Sequence, residues 1–368
     1  MRVSFPHMGN MDITLSGLFS TLNTEMVIPP PITRRTLELG TSHSPEAACL
    51  PFKLNIGNFI EAMEQGADTL VMLGGWGPCR LGYYAQVERD ILHNLGYKFD
   101  MIIIEAPESR VKGLLEKVRS VGNGVSSWQV FKGVHFAWIK TQAADEIEKA
   151  YFDFLPYARY PDAAAVEYRL ALANLLEAKT RPDVEQVISN YKTAVEKAVK
   201  IYRQPIKIGI IGEIYTILEP YANFHIQERL ARMGVHCERS LYLSEWLNDH
   251  LTGGRMPTGS SRQHTRLADP YLPCWVGGHG RETVGYAVSF ARQGFDGLIQ
   301  VGPLTCMPEI VAQAILPQVG RQEQIPIMTL WVDEQTGEAG LQTRLEAFVD
   351  MLERKARRGV LGGYKSGR

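Results

Sequence analysis

The stretch TLVMLGGWGPCRLGYY (Thr69–Tyr84) is a short apolar run, a glycine-rich turn, a cysteine and then a helical pattern. The same succession returns at GLIQVGPLTCMPEI (Gly297–Ile310). An apolar run of this kind, with no alternation of polar residues, belongs to a strand buried on both faces. A helix following within a few residues makes the unit βα, and repetition of that unit demands a mostly parallel sheet covered by helices. RVSFP, EMVIPP and DMIIIEAP supply further strands in the first 130 residues, and PIKIGIIGE and IPIMTLWVD do so after residue 204. MDITLSGLFSTL, IGNFIEAMEQG and YYAQVERDILHNLG supply helices between the first set. The helix ending on Gly66 has a usual C-terminal stop.

The rhythm breaks in the middle. DEIEKAYFDFL, DAAAVEYRLALANLLEAKT and DVEQVISNYKTAVEKAVKIY carry helical periodicity. In the last, Val184, Val187, Ile188, Tyr191, Val195, Ala198, Val199 and Tyr202 fall on one stripe. The chain therefore divides into an N-terminal α/β lobe (1–130), a helical insert or connector (131–204) and a C-terminal α/β lobe (205–368). The expected fold class is α/β, with two doubly wound parallel-sheet lobes. The two lobes have similar patterns without a clear sequence repeat. The polar segment 252–270 is long enough for a mobile lid, but a plain surface excursion is the more ordinary reading of such a stretch.

The 368 residues suffice for two cores. A net charge of −1 gives no reason to expect a nucleic acid or an anionic membrane as partner. No apolar run reaches the roughly 18 residues of a membrane span, and MRVSFPHMGN lacks the apolar core of a signal peptide. A cytoplasmic location is the expectation. The five widely spaced cysteines, Cys49, Cys79, Cys237, Cys274 and Cys306, do not describe a disulfide framework.

Cys79 and Cys306 each follow a strand and precede a helix, the edge at which open parallel sheets place ligands. Cys49, in SPEAACLPFK, lies where Ser44 and Pro45 can start a helical turn and Pro51 can break it, so that the thiol folds back to the same edge. A thiol so placed is a nucleophile, a metal ligand or a small core residue. Three from three loops would suit an iron–sulfur cluster; zinc would more usually show close CxxC pairs. Cys237 reads as a buried strand residue. Cys274 reads as a small buried residue or a fourth ligand.

His7, at the end of the first strand, is a candidate for proton transfer or for a bond to a cluster sulfur, or it stabilises the turn. His279, in GGHGRE, opens a helix that could take an anion, though the pattern is not GxGxxG. Arg80 could offset thiolate charge and Tyr84 could donate a proton. Glu309 reads as an acidic residue favouring a helix N-terminus. Arg34, Arg35, Arg262 and Arg266, on expected loops, are candidates for a diphosphate.

Taken in order, VSFPHMGN, SPEAACLPFK, GGWGPCRLGYY, GLIQVGPLTCMPEI and DEQTGEAGLQTRLEAF resemble the activase-associated branch of the 2-hydroxyacyl-CoA dehydratase superfamily. That superfamily includes benzoyl-CoA reductase subunits and double-cubane cluster proteins, and the likeness spans nearly the whole chain. The resemblance implies an oxygen-sensitive protein of anaerobic metabolism with a [4Fe–4S] cluster in the cleft between two lobes. By residue-to-residue carry-over, Cys49, Cys79 and Cys306 would be the ligands. It also implies an ATP-hydrolysing iron–sulfur activase as electron donor, an acyl-CoA substrate, and a homodimer or a heterodimer with a related subunit. A double cubane on six cysteines cannot be built from five, so a single cluster per chain is expected. No GxxxxGK[ST] loop is present, and GGYKSGR at the C-terminus lacks its glycine and its strand. Two functions follow: an enzyme of reductive chemistry such as 2-hydroxyacyl-CoA dehydration, or an electron-transfer or cluster-maturation accessory protein. A cluster-free α/β binding protein is the third reading.

Overall fold

The computed structural model describes residues 1–75, 78–104, 118–119, 121–122, 124–202, 204–254 and 261–363. Parts of four expected features lie outside these residues: the turn at Trp76 and Gly77, the end of DMIIIEAP at 105–107, the segment 255–260, and most of GGYKSGR. Among the described residues the strands form two four-stranded sheets in which every pairing is parallel. The first holds β1 (Arg2–Ser4), β2 (Glu25–Met26), β3 (Thr69–Leu73) and β4 (Asp100–Ile104) in the order β2-β1-β3-β4. The second holds β5 (Lys207–Gly212), β6 (His236–Arg239), β7 (Gly297–Pro303) and β8 (Ile327–Val332) in the order β6-β5-β7-β8. Each sheet thus has the same topology, and in each the order reverses between its first and third strands. At such a reversal the connections leave in opposite directions and open a crevice at the carboxyl ends of the strands. Residues directly after β1, β3, β5 and β7 lie on those crevices.

Both sheets are covered on both faces. Leu70 and Met72 pack with α3 (Leu50–Glu64) and α4 (Leu81–Asn94), and Val71 between them faces Val3 and Phe19 of α1 (Met11–Phe19). In the second lobe Ile208 and Ile210 pack with α9 (Ile226–Arg232) and α14 (Glu338–Gly363). Ile211 and Leu298 pack instead with α12 (Gly280–Arg292) and α13 (Met307–Gln322). The lobes are not separate: Met8, Ile32, Leu50 and Leu54 of the first share one core with Tyr215, Ile217 and Leu218 of the second.

The connector begins earlier than the periodicity indicates. α5 runs without interruption over Ser127–Phe154, started by a capping box between Ser126 and Gln129, so the boundary at 130 moves to 126. Its first half escapes a periodicity argument because it is gripped from several sides, by α1 among others, and shows no single apolar stripe. α5 packs with α6 (Pro161–Glu177) and α7 (Arg181–Lys197) around Ile147, Tyr151, Leu175 and Tyr191, and Ile13 and Ala231 join this core from the two lobes. The apolar stripe extended to Tyr202 overshoots. α7 ends at Lys197, and Val199 and Tyr202 are exposed. The backbone there bonds to the segment after α5 instead, Arg159 N–H to Val199 O at 3.1 Å and Ile201 N–H to Tyr157 O at 2.7 Å.

A helix that periodicity does not predict, α2 (Arg34–His43), is capped by Thr33 and Thr36 and crosses α3 at very short range. A Cβ on Gly40 would lie 1.7 Å from Lys53 O, and one on Gly57 1.9 Å from Thr36 O. Arg34 and Arg35 are therefore helical and ion-paired, Arg34 with Glu38 and Arg35 with Glu61 and Glu64. Arg262 and Arg266 are helical too, on α11 (Arg262–Leu267), which comes after the short α10 (Leu243–Leu247).

α3 and α4 are joined by a buried bond from Asn55 Nδ2 to Glu88 Oε1 at 3.3 Å. Burial pushes the Glu88 carboxyl up to about 8. In the unfolded chain a glutamate titrates near about 4.3. The folded state thus holds an extra proton between those values, and stability falls as pH rises from about 5 through about 8. Glu88→Gln should flatten this part of the profile, read by denaturant unfolding at about pH 6 and about pH 9. A variant profile parallel to the parent's would show that Glu88 is already ionised in the fold.

Candidate functional site

The three cysteines singled out by sequence stand at the starts of three helices. Cys49 is the N-cap of α3 and Cys306 the N-cap of α13, each with proline as the second helical residue. Pro51 therefore opens a 15-residue helix rather than breaking one, since a proline at this position loses no intrahelical bond. Cys79 immediately precedes Arg80, the N-cap of α4. Each thiol faces a backbone N–H: that of Phe52 for Cys49, Leu81 for Cys79 and Glu309 for Cys306. Helix N-termini carry the positive end of the helix dipole, so each sulfur meets one contribution that favours negative charge.

One side chain ties the three loops together. Arg80 donates from Nη1 to Ala47 O at 2.7 Å, and from Nη2 to Thr305 O at 2.7 Å and Thr305 Oγ1 at 2.9 Å. Ala47 is two residues before Cys49, and Thr305 is next to Cys306. The Tyr84 hydroxyl meets the Cys49 sulfur directly, inside the core. The GGHG turn closes the far side. Gly277 and Gly278 both have positive φ, and a Cβ on Gly278 would stand 3.0 Å from Pro308 and 3.9 Å from the Cys79 sulfur. Only glycine brings backbone this close.

Glu213, which no sequence motif marks, directly follows β5 and lies near all three thiols. Its carboxylate accepts the N–H groups of Tyr215 and Thr216 and caps the short helix α8 (Ile214–Leu218). Its position after the first strand of the second sheet matches that of His7 after β1, and this correspondence is the signal in PIKIGIIGE that could have found it. Burial first, with Glu213 adding to it, raises all three thiols, Cys49 to about 11. That is the reverse of an activated nucleophile, which needs a stabilised thiolate. A bound metal would displace these protons.

The donor set fits an iron–sulfur cluster. The three sulfurs are soft ligands, all stand at helix starts, and a single guanidinium spans their loops. Among the described residues no group of three His, Cys, Asp or Glu side chains is placed to hold a metal ion.

The five motifs converge. His7 Nδ1 bonds Glu219 Oε2 at 2.8 Å, Gly9 N–H bonds the same oxygen at 3.0 Å, and Tyr215 donates to His7 O at 3.0 Å. Lys53 Nζ, nearly inaccessible, bonds Glu334 Oε1 at 2.5 Å. VSFPHMGN, SPEAACLPFK and GGWGPCRLGYY thus bond across the lobe junction to the second lobe, two of them directly to the other two motifs. Burial lowers the His7 pKa, but the Glu219 bond and charge, with Asp12, outweigh it and push the imidazole above its ordinary value. His279 takes the opposite course. Burial, with His250 beside it, lowers it to about 3, so it is a neutral imidazole at the start of α12 and no cationic anion-binder.

Three further expectations change. Cys274 is exposed, not buried, whereas Cys237 lies in the core of the second lobe as expected. Glu309 does not project as an N-terminal charge. It is buried, accepting from Thr283 Oγ1 at 2.9 Å and Gln300 Nε2 at 2.9 Å, and burial raises it to about 7. Arg262 and Arg266 line a cleft of about 430 Å³ with Trp275 and Arg281, at the outer end of the segment that carries the GGHG turn. The segment 252–270, described in part, includes α11 and contributes a wall of this cleft. No helix of the described residues is long and apolar enough to cross a membrane.

A scan against protein-family models and a search of curated proteins each find no match for this chain.

Proposed function

We propose that the chain holds one [4Fe–4S] cluster on Cys49, Cys79 and Cys306 at the lobe junction and uses low-potential electrons from an ATP-hydrolysing activase for reductive chemistry. Dehydration of a 2-hydroxyacyl-CoA is the model reaction. The observation that carries this reading is that one guanidinium, that of Arg80 next to Cys79, bonds the backbone two residues before Cys49 and one residue before Cys306. Such a cluster, when bound, supplies a single electron and, at the iron without a protein thiolate, a Lewis acid.

The chain's own residues supply the rest. The helix starts offset thiolate charge, and the GGHG turn and the shared apolar core keep water from the inner side of the site. His7, held by Glu219, is placed to store or deliver a proton, the carboxylate fixing Nδ1 so that Nε2 can act. The cleft with Arg262, Arg266 and Arg281 would take the diphosphate of an acyl carrier, with Trp275 as an aromatic wall, against the charge of Asp249 and Glu282 in the same lining and with Arg281 already paired to Asp269.

Anaerobic reconstitution with iron and sulfide should give about four irons per chain and a reduced-state EPR signal. Cyanide or a small thiol should perturb that signal, because one iron is exchangeable. Failure to take up iron would end the cluster reading. Uptake with a signal indifferent to added ligands would leave a fully ligated electron-transfer or maturation protein.

A further inference from the structure

Thr305 has φ of +69°, in the left-handed region, although it is β-branched. A side chain branched at Cβ is a genuine outlier there, so the conformation is strained and has to be held by its surroundings. The strain falls at the residue that aims Cys306. Arg80 binds both acceptors of this residue, its carbonyl and its hydroxyl, and reaches from the same guanidinium to Ala47 O. Thr305 Oγ1 in turn donates to Ala47 O at 3.3 Å. Arg80 comes from the first lobe and Thr305 from the second, so the bonds cross the junction.

We propose that Arg80 is a positioning residue: its clamp holds Thr305 in the left-handed conformation and so preassembles the three thiols before metal arrives. A planar fork with several donors can bond to three acceptors on two loops at once, which an ammonium on a flexible stem does far less well. Charge-assisted bonds of this kind are about twice as strong as neutral ones. The role of the thiols as ligands rests on the function proposed above, but the clamp itself is a property of the metal-free chain.

That separation sets the experiment. In the metal-free protein, iodoacetamide alkylation of each cysteine is followed by mass spectrometry. Exposed Cys274 is the reference for reagent and core Cys237 the reporter of global unfolding. In Arg80→Met, Cys306 should react on the order of tenfold faster, the factor expected for losing one strong bond network, with Cys237 still protected. Arg80→Met combined with Thr305→Gly should return Cys306 toward the parent rate, because glycine adopts this φ without strain. If Arg80→Met exposes Cys237, Arg80→Lys is read in the same way. A Cys306 rate unchanged in Arg80→Met, or a Thr305→Gly change that brings no recovery, overturns the clamp. After reconstitution, the variant should also release iron to a chelator faster than the parent. A parent chain that takes up no iron defeats the cluster reading, and the alkylation rates alone then decide whether Arg80 clamps the loops.

Discussion

Cys79→Ser should strip the reconstituted chain of nearly all its iron while leaving it folded, and Cys237→Ser should do the reverse. Cys79 is half-buried beside a polar turn, and its sulfur lies against Gly278 and the start of α4. A hydroxyl there disturbs no core, so the change in stability should stay under about 1 kcal/mol. As a ligand, however, serine is a harder and far less acidic donor, and a cluster with two remaining thiolates is readily lost. Cys237 is fully enclosed on β6 among Ile208, Leu230 and Val235. Its sulfur reaches Val235 O at the long distance of 3.8 Å, so serine buries a poorly bonded hydroxyl and should cost about 1–3 kcal/mol. Iron and sulfide analysis beside urea unfolding separates the two. Equal iron in both variants would mean that the division into ligand and core cysteines is wrong.

Glu148→Ala should be among the most destabilising single changes in the chain, at about 3–5 kcal/mol. Glu148 on α5 and Arg239 at the end of β6 are both nearly inaccessible and meet fork to fork, with Nη1 to Oε1 at 2.9 Å and Nη2 closer still to Oε2. The guanidinium also lies 4.4 Å from the Tyr242 ring centroid. Removing the carboxylate leaves a cation buried without its counter-charge, and arginine cannot escape by losing its proton. The pair also fastens α5, which packs on the first lobe, to the sheet of the second, so its loss loosens the frame that holds the lobes together. Glu148→Leu with Arg239→Met should recover most of the loss, because the two forked charges are then removed together and neither is left buried without the other. Urea midpoints for the two single variants and the pair complete the cycle. A loss below about 1 kcal/mol in Glu148→Ala would show that water reaches Arg239.

Much of this protein is legible in its sequence, and the legible parts share one trait: they depend on neighbours in the chain. TLVML and GLIQV are strands because unbroken apolar runs need two covered faces. Gly66 ends a helix and Pro308 starts one through local backbone geometry. Cys79 and Cys306 fall at the crevice edge because each follows a parallel strand and precedes a helix. Local rules also mislead where they compete. Pro51 breaks or begins a helix according to its place in it, and the residues before it do not reveal that α3 starts at Leu50. The apolar stripe through Val199 and Tyr202 has a helical spacing, yet the backbone there finds partners at Tyr157 and Arg159. What only the tertiary structure decided lies between residues far apart in sequence. Glu148 has no local sign of its bond to Arg239, 91 positions away. Glu213 and Glu219 become part of the junction only when the second sheet is set against the first. Arg80 looks like a charge beside a thiol, yet its three bonds end 33 positions back along the chain and 225 positions on. Periodicity encodes which face of an element is buried; it carries no information about which distant element supplies the cover, because that is settled by packing and by pairing buried polar groups across the whole molecule.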